Sequence, residues 1–482
     1  MKINASSVLY IHNYTAQSLR TIKAHFTRVN PDALHARMSK TDFKGSWYLP
    51  VYTLRESDNA IILPQGCMFK LRQIIKEPIE VIDNRQTAAF NQELSLKMED
   101  RFYQRQIIEK AARMQSGYFI APCGAGKTNM FIGIIAKLQQ RTLVVVHTTQ
   151  LMWQFYERFK EVTGKAPGVF YSGKKEIKPV TIGVNKSILT HLVNRASIRT
   201  FGMVIVDECD LVPAPTMAGI LNKCPAKYRF GATATYARYD QQEIMIDFLL
   251  GARLHKIEHW DLDRVHDPKL YFIQTGVRPK YYPKFTWDAN NKVWVTKPKD
   301  KFRTWEKKIG PIQIGTLLKK QLLASTTRAG RVISIIIKEH NLGEVILVVC
   351  GTVIECELYQ TYLLAKGVNA HVIVGDTKNK DREIRLQEIR DRKCRVLLGV
   401  NVVSRGMDVP NISRILVTVK RQTTQIIGRG TREAEFKTDL KVYELVDHYP
   451  GVENAFKRKE KELHKTYKKN TTWLTYDQYL KM

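Results

Sequence analysis

The stretch Ala121–Asn129, "APCGAGKTN", stands directly after "MQSGYFI" and directly before "MFIGIIAKL", and its reading decides what surrounds it. "GYFIAP" reads as a strand and "TNMFIGIIAKL" as a helix, so Gly124, Ala125 and Gly126 fall on the loop between them. Successive backbone N–H groups and a helix N-terminus make such a loop a site for anions. The stretch nearly matches G-x-x-x-x-G-K-[ST], with Ala121 in the place of the first glycine. Only the glycines nearest the lysine must let a phosphate come close, so alanine at the strand end costs little. Lys127 is expected to reach the β- and γ-phosphates of a nucleotide, and Thr128 to hold its magnesium ion. A glycine-rich turn with an incidental lysine is the plain alternative.

Outward from this loop, short apolar runs alternate with helix-like segments from about Tyr118 to Thr235: "GYFIAP", "TLVVVHT", "VTIGV", "GMVIVDE" and "YRFGATAT". Each is apolar along its length and polar at its C-terminal edge, as in a parallel sheet covered on both faces, where ligands bind at the carboxyl ends of the strands. A second series runs from about Glu344 to His448: "EVILVVCGT", "NAHVIVGD", "CRVLLGVN", "SRILVTVK" and "KVYELVDH". Residues 1–95 mix short strands with a helix and predict a small α+β domain. The expected fold class is therefore α/β, with two parallel-sheet units at 96–255 and 321–452, a connecting segment at 256–320 and a basic C-terminal helix at 453–482.

Charge narrows the partner. The chain carries 77 Lys+Arg against 46 Asp+Glu, a formal net charge of +31, which suits a polyanion and first of all nucleic acid. An evenly spread basic surface serving solubility is the plainer reading. The seven cysteines show neither C-x-x-C pairing nor metal-ligand spacing. Apolar runs such as "RVISIII" fall short of a membrane span, and "MKINASSVLYIHN" lacks a signal-peptide core. A soluble, cytoplasmic protein acting as a monomer is expected, in the host cytoplasm if a phage encodes it.

Asp207-Glu208 ends the strand "MVIV". An acidic pair there suits phosphoryl transfer, with Asp207 holding magnesium and Glu208 orienting and deprotonating the attacking water; two carboxylates at a strand end can instead cap the next helix. With the phosphate loop, the pair resembles the nucleotide site of superfamily 2 helicases and translocases. "APCGAGKT" is similar to their A-x-x-G-x-G-K-T loop, "DECD" to their D-E-x-D/H box, "GATAT" (Gly231–Thr235) to their third motif, "SRGMDVP" (Ser404–Pro410) to their fifth and "QIIGRGTR" (Gln425–Arg432) to their sixth. "RFYQRQ" resembles the motif whose glutamine, here Gln104, reads the adenine edge. Within the superfamily, "NAIILPQG", the short connection between the units and "VYELVDHYPGVENAFKRKEKELHKTY" look most like phage UvsW-type recombination helicases and their relatives among repair helicases and restriction translocases.

The resemblance implies two RecA-like motor domains and an ATP hydrolase using Mg2+. It assigns Gly406, Asp408 and Gln425 to the nucleotide, and Arg429 and Arg432 to the γ-phosphate. Those arginines lie in the second unit, so they reach it only if ATP sits in a cleft between units, and opening and closing of that cleft would be the motor step. Strand-end loops are expected to grip the nucleic-acid backbone through Thr148 and Thr149, Asn185 and Lys186, Thr352, and Ser404 and Arg405, contacts that do not read sequence.

The segment "YYPKFTWDANNKVWVTKPK" interleaves aromatics and lysines and reads as a hairpin turning at Asn290-Asn291. Trp287 and Trp294 are candidates for stacking on bases, or they cover a small local core. The expected function is an ATP-driven DNA helicase acting on forked, junction or single-stranded DNA, with replication or recombination proteins as further partners. A duplex translocase that does not separate strands, and a scaffold that binds nucleic acid without hydrolysis, are the alternatives.

Overall fold

The computed structural model describes residues 1–39, 42–91, 93–97, 101–236, 238, 240–258, 261–262, 267–278, 285–288, 293–296, 320–400, 409–419, 424–431, 434, 437–448 and 452–482. The chain divides into two compact units, one made of Met1–His35 and Phe43–Glu258, the other of Ala36–Asp42 and His259–Met482.

In the first unit the described strands form an eight-stranded sheet in the order Lys174–Lys175, Gly168–Tyr171, Val180–Val184, Thr142–Val146, Met203–Asp207, Tyr228–Thr233, Ser116–Ile120, Arg253–Lys256. Every neighbouring pair is parallel except the outermost, where Lys174–Lys175 runs antiparallel to Gly168–Tyr171. The cause is visible in composition: all five residues of "TLVVV" are buried, and β-branched runs of this kind are stable only where both faces are covered. The five expected strands are all present. "GVFY" and "RLHK" were not expected, being four-residue strands too short to show a period.

The second unit carries a seven-stranded sheet of described strands in the order His371–Ile373, Val396–Gly399, Ile346–Val349, Arg414–Val417, Leu440–Val446, Pro268–Gln274, Thr471–Thr475, parallel throughout. The first five are the expected series. The last two come from the connecting segment and the tail. Pro268–Gln274 follows Leu440–Val446 residue for residue, because Leu270, Phe272 and Ile273 need the cover that strand and its helices supply.

Residues 2–83 build a separate five-stranded sheet, Thr53–Arg55, Ala60–Pro64, Val8–His12, Lys2–Ala5, Glu80–Asp83, with the helices Ala16–His25 and Met68–Ile74. It belongs to the first unit's packing: Phe26 and Phe248 rings lie 5.4 Å apart, and Phe248 shares a core with Ile11, Ile61 and Leu71. Arg229 is wholly buried at the start of its strand, the end opposite Asp207. Its guanidinium donates to the carbonyls of Ser7 at 3.0 Å and Cys224 at 2.6 Å, so one side chain joins the two sheets. In the connecting segment, Phe285–Asp288 pairs antiparallel with Val293–Thr296, with Trp287 opposite Trp294 in register. The expected turn at Asn290-Asn291 lies outside the described residues.

Candidate nucleotide and strand-binding site

The phosphate loop is bent by its glycines. Gly124 and Gly126 have φ of +88° and +78°, the left-handed region that a Cβ makes costly. Gly126 ends the loop as the N-cap of the helix Lys127–Leu138, which leaves its first N–H groups directed out of the helix. A Cβ on Gly126 would lie 2.5 Å from Gln104 Nε2. Gln104 is buried, and both ends of its amide are engaged: Nε2 donates to the Ala125 carbonyl at 2.9 Å and Oε1 accepts from the Arg101 N–H at 3.1 Å. The helix Phe102–Met114 thus holds the loop's shape. Lys127 Nζ donates to the Ala121 carbonyl at 3.2 Å, and Thr128 is the second residue of its helix.

Sheet register brings the acidic pair beside this loop. Ile120 pairs with Thr233, and Ala232 with Asp207, so the three strand ends form one row with Asp207 two strands from the loop, roughly 10 Å across the sheet. Burial first, and then the charge of Glu208, push the Asp207 carboxyl up to about 6, with Lys127 opposing. Glu208 stands at φ +57°, a conformation rare for a residue with a side chain, and its buried Oε2 has no hydrogen-bond partner among the described residues. Hard oxygen donors on Asp207 and Thr128, and two adjacent half-buried carboxylates, fit a magnesium ion.

Two residues of this centre were not singled out from sequence. Thr233 Oγ1 donates to Asp210 Oδ1 at 3.0 Å, both buried, and Arg238 donates to the Asp210 carbonyl. The third motif and the acidic box are therefore bonded together. The fourth letter of "DECD" and the first threonine of "GATAT" carried the signal; their pairing depends on neighbouring strands and has no trace in spacing.

The strand-binding candidates occupy the other half of the same sheet edge. Val146 pairs with Val184, so Thr148 and Thr149 lie beyond one strand end and Asn185 and Lys186 beyond its neighbour. Thr148 caps the helix Thr149–Thr163, its hydroxyl oxygen accepting from the Leu151 N–H at 3.2 Å. Asn185 Oδ1 accepts from the Lys186 N–H at 2.7 Å, and the Lys186 side chain is exposed. In the second unit Thr352 likewise caps its helix, accepting from the Glu355 N–H at 3.1 Å. This loop is braced by a group that sequence reading missed: buried Arg328 donates to Asp447 at 2.9 Å and to Glu355 at 3.3 Å, and Glu355 accepts from the Gly351 N–H. Gln425 and Arg429 lie on the helix Thr424–Gly430, but their side chains are outside the described residues. So are those of Trp287 and Trp294, and Ser404, Arg405, Gly406, Asp408 and Arg432 lie outside altogether.

Comparison with known proteins followed the same division. The family described as "Type III restriction enzyme, res subunit" matches residues 97–238, and "Helicase conserved C-terminal domain" matches 328–433. "DNA 3'-5' translocase XPB2" of Sulfurisphaera tokodaii is 24% identical over 401 residues, 76% of this chain and 87% of that protein. "Probable helicase D10" of Escherichia phage T5 is 25% identical over 332 residues, 67% of this chain and 66% of that protein. Among solved structures, S. cerevisiae Dbp5 bound to RNA and ADP BeF3 shares the fold, with a TM-score of 0.52, 15% identity and coverage of 78% of this chain and 90% of that one. T4 UvsW aligns over 98% of this chain and 99% of its own at 14% identity, with a TM-score of only 0.41.

Proposed function

We propose that this chain, a superfamily 2 helicase and ATP hydrolase, is a motor on DNA that unwinds or branch-migrates forked and junction DNA. The observation that carries the reading is the division of one sheet edge. Phosphate loop and acidic pair occupy the ends of three adjoining strands, and the hydroxyl, amide and ammonium groups of Thr148, Thr149, Asn185 and Lys186 occupy the ends of the next two. A net charge of +31 supports a polyanionic track, and relatives named as acting on DNA favour DNA over RNA. The UvsW-type placement rests on the sequence resemblance, and one relative, "Probable helicase D10", comes from a phage, Escherichia phage T5.

In this mechanism the loop N–H groups and Lys127 take the β- and γ-phosphates. Thr128 and Asp207 would hold a magnesium ion, which when bound would supply neutralising charge at the phosphate oxygens. Glu208 accepts the proton of the attacking water through a carboxylate whose Oε2 meets no hydrogen-bond partner among the described residues. The resemblance to superfamily 2 assigns to the sixth motif's arginines, here Arg429 and Arg432, the charge that develops during transfer, a role worth roughly 10³- to 10⁵-fold in rate. The Thr233–Asp210 bond ties the acidic box to the third motif, so a change at the phosphate is felt by the strand that carries it.

A second reading, translocation on duplex without strand separation, is favoured by the relative named a translocase. Steady-state ATPase with single-stranded, duplex, forked and four-way DNA and with RNA, beside strand-separation assays on the fork, tests both. Stimulation by forks with unwinding supports the proposal. Stimulation by duplex alone without unwinding supports the second reading, and stimulation by RNA alone overturns both.

A further inference from the structure

Beyond the residues expected to grip a backbone, the outer end of the first unit's sheet edge carries an aromatic group that neither the motor cycle nor the fold requires to be exposed. Trp153 lies one turn beyond Thr149 on the same helix, and residues four apart share a helix face. Its indole meets the Tyr156 ring at 5.3 Å and the Tyr171 ring at 6.1 Å, in both cases near a right angle. Two tyrosines therefore brace it, yet 42% of Trp153 remains exposed. A tryptophan kept for packing alone gains by being covered. This one is fixed in direction and open to solvent, the condition under which an aromatic ring binds another ring with little loss of side-chain freedom.

The surroundings identify the ring it would take. Tyr171 ends the strand next to Val180–Val184, so the cluster continues the line formed by Thr148–Thr149 and Asn185–Lys186. Gly173 gives the Tyr171 ring its place, since a Cβ there would lie 2.8 Å from a ring carbon. The two-residue edge strand that follows is Lys174–Lys175, both exposed. Lysines beside braced aromatics at the end of a backbone track combine phosphate neutralisation with a stacking platform, which is the composition of a single-strand site.

We propose that Trp153, braced by Tyr156 and Tyr171, is a base-stacking platform for single-stranded DNA at the outer end of the track, with Lys174 and Lys175 holding the adjoining phosphates. The proposal rests on the DNA-motor reading and adds to it a base contact in the first unit. The test is equilibrium binding of the full-length protein, at one fixed ionic strength, to an oligothymidylate and to an abasic strand of the same length, for the unaltered protein, Trp153→Phe and Trp153→Ala. The unaltered protein should prefer the base-bearing strand. Trp153→Ala should weaken that strand's binding by about 5- to 150-fold while leaving abasic binding, unstimulated ATPase and melting temperature within experimental error, and Trp153→Phe should keep most of the preference. Equal losses on both strands, no loss, or a loss accompanied by a lower melting temperature in both variants overturns the platform. If the unaltered protein binds neither strand and DNA does not stimulate its ATPase, the DNA-motor reading itself fails. If DNA stimulates ATPase but base and abasic strands bind alike, only the platform fails.

Discussion

Glu208 is the residue whose geometry says most about its work. A left-handed backbone at a glutamate costs on the order of 1 kcal/mol or more, and here it accompanies a buried oxygen that meets no partner among the described residues, two costs that a purely structural carboxylate would avoid. Glu208→Gln keeps the shape and removes the base. Single-turnover hydrolysis should fall by about 10²- to 10⁴-fold with nucleotide affinity nearly unchanged; a matching collapse in affinity would instead make Glu208 part of the metal site. Asp207 carries a pH signature of definite sign. Its carboxyl titrates at about 6 in the folded chain against an ordinary 3.8, so the folded state holds the proton more tightly than the unfolded one. Its contribution to stability is fullest below pH 4 and is lost as pH rises through 6. In metal-free protein, Asp207→Asn should therefore raise the urea midpoint at pH 8, by up to about 3 kcal/mol of stability, and change it much less near pH 4. A gain that is larger at the acid end would show that burial is not what moves this carboxyl.

The phosphate loop and the N-terminal sheet show how elements are held. Gly126 is required twice, by its φ of +78° and by the 2.5 Å approach a Cβ would make to Gln104. Gly126→Ala should weaken ATP binding at least tenfold, and Gln104→Ala should cost about 1–3 kcal/mol by leaving the Ala125 carbonyl buried and unmet. Because the clash disappears with the glutamine, the double variant should be less destabilised than the sum of the two, and a thermal-melt mutant cycle measures the difference. The N-terminal sheet cannot be removed to study it. Deleting residues 1–95 would strip Phe248 of its core and leave Arg229 without one of its acceptors. A Cβ on Gly66 would sit 2.5 Å from the Gly251 nitrogen, a measure of how closely the two sheets are joined. Burial lowers the Arg229 guanidinium to about 10, still charged at neutral pH. Arg229→Met should cost about 2–4 kcal/mol in stability, read as a lower melting temperature, since the Ser7 and Cys224 carbonyls lose their donor together.

At the scale of the whole molecule, the proposed motor would draw its movement from the two sheet-bearing units, and recognition of a branch would call for surfaces beyond the ATPase site. The strands Phe285–Asp288 and Val293–Thr296, which pair with Trp287 opposite Trp294 in register, are the candidate for that role. Replacing Trp287 and Trp294 together by Ala should lower fork unwinding several-fold more than single-strand-stimulated ATPase. With a net charge of +31, affinity for any DNA falls steeply with salt, so both activities must be compared at one ionic strength. Parallel losses, or none, would make the hairpin structural and leave branch preference without a physical basis in this chain.

By itself, the sequence determined what is local. The strand–loop–helix around Gly124–Thr128, the acidic pair at the end of "MVIV" and ten sheet strands follow from periodicity, glycine placement and polar strand ends, because each is set by neighbours a few residues away. Tertiary structure decided what depends on distant chain coming together. Pro268–Gln274 becomes a strand because Leu440–Val446 offers it an edge, and Thr471–Thr475 because Pro268–Gln274 in turn offers it one. Thr233 meets Asp210 only because its strand adjoins Met203–Asp207, which leads into the turn carrying Asp210, and Arg229 bridges two sheets through carbonyls of residues 7 and 224. The Trp153 platform belongs to this second kind: in sequence it is one aromatic in an amphipathic helix, and only the packing of Tyr156 and Tyr171 around it, with solvent on its remaining face, distinguishes a braced, open ring from a covered one.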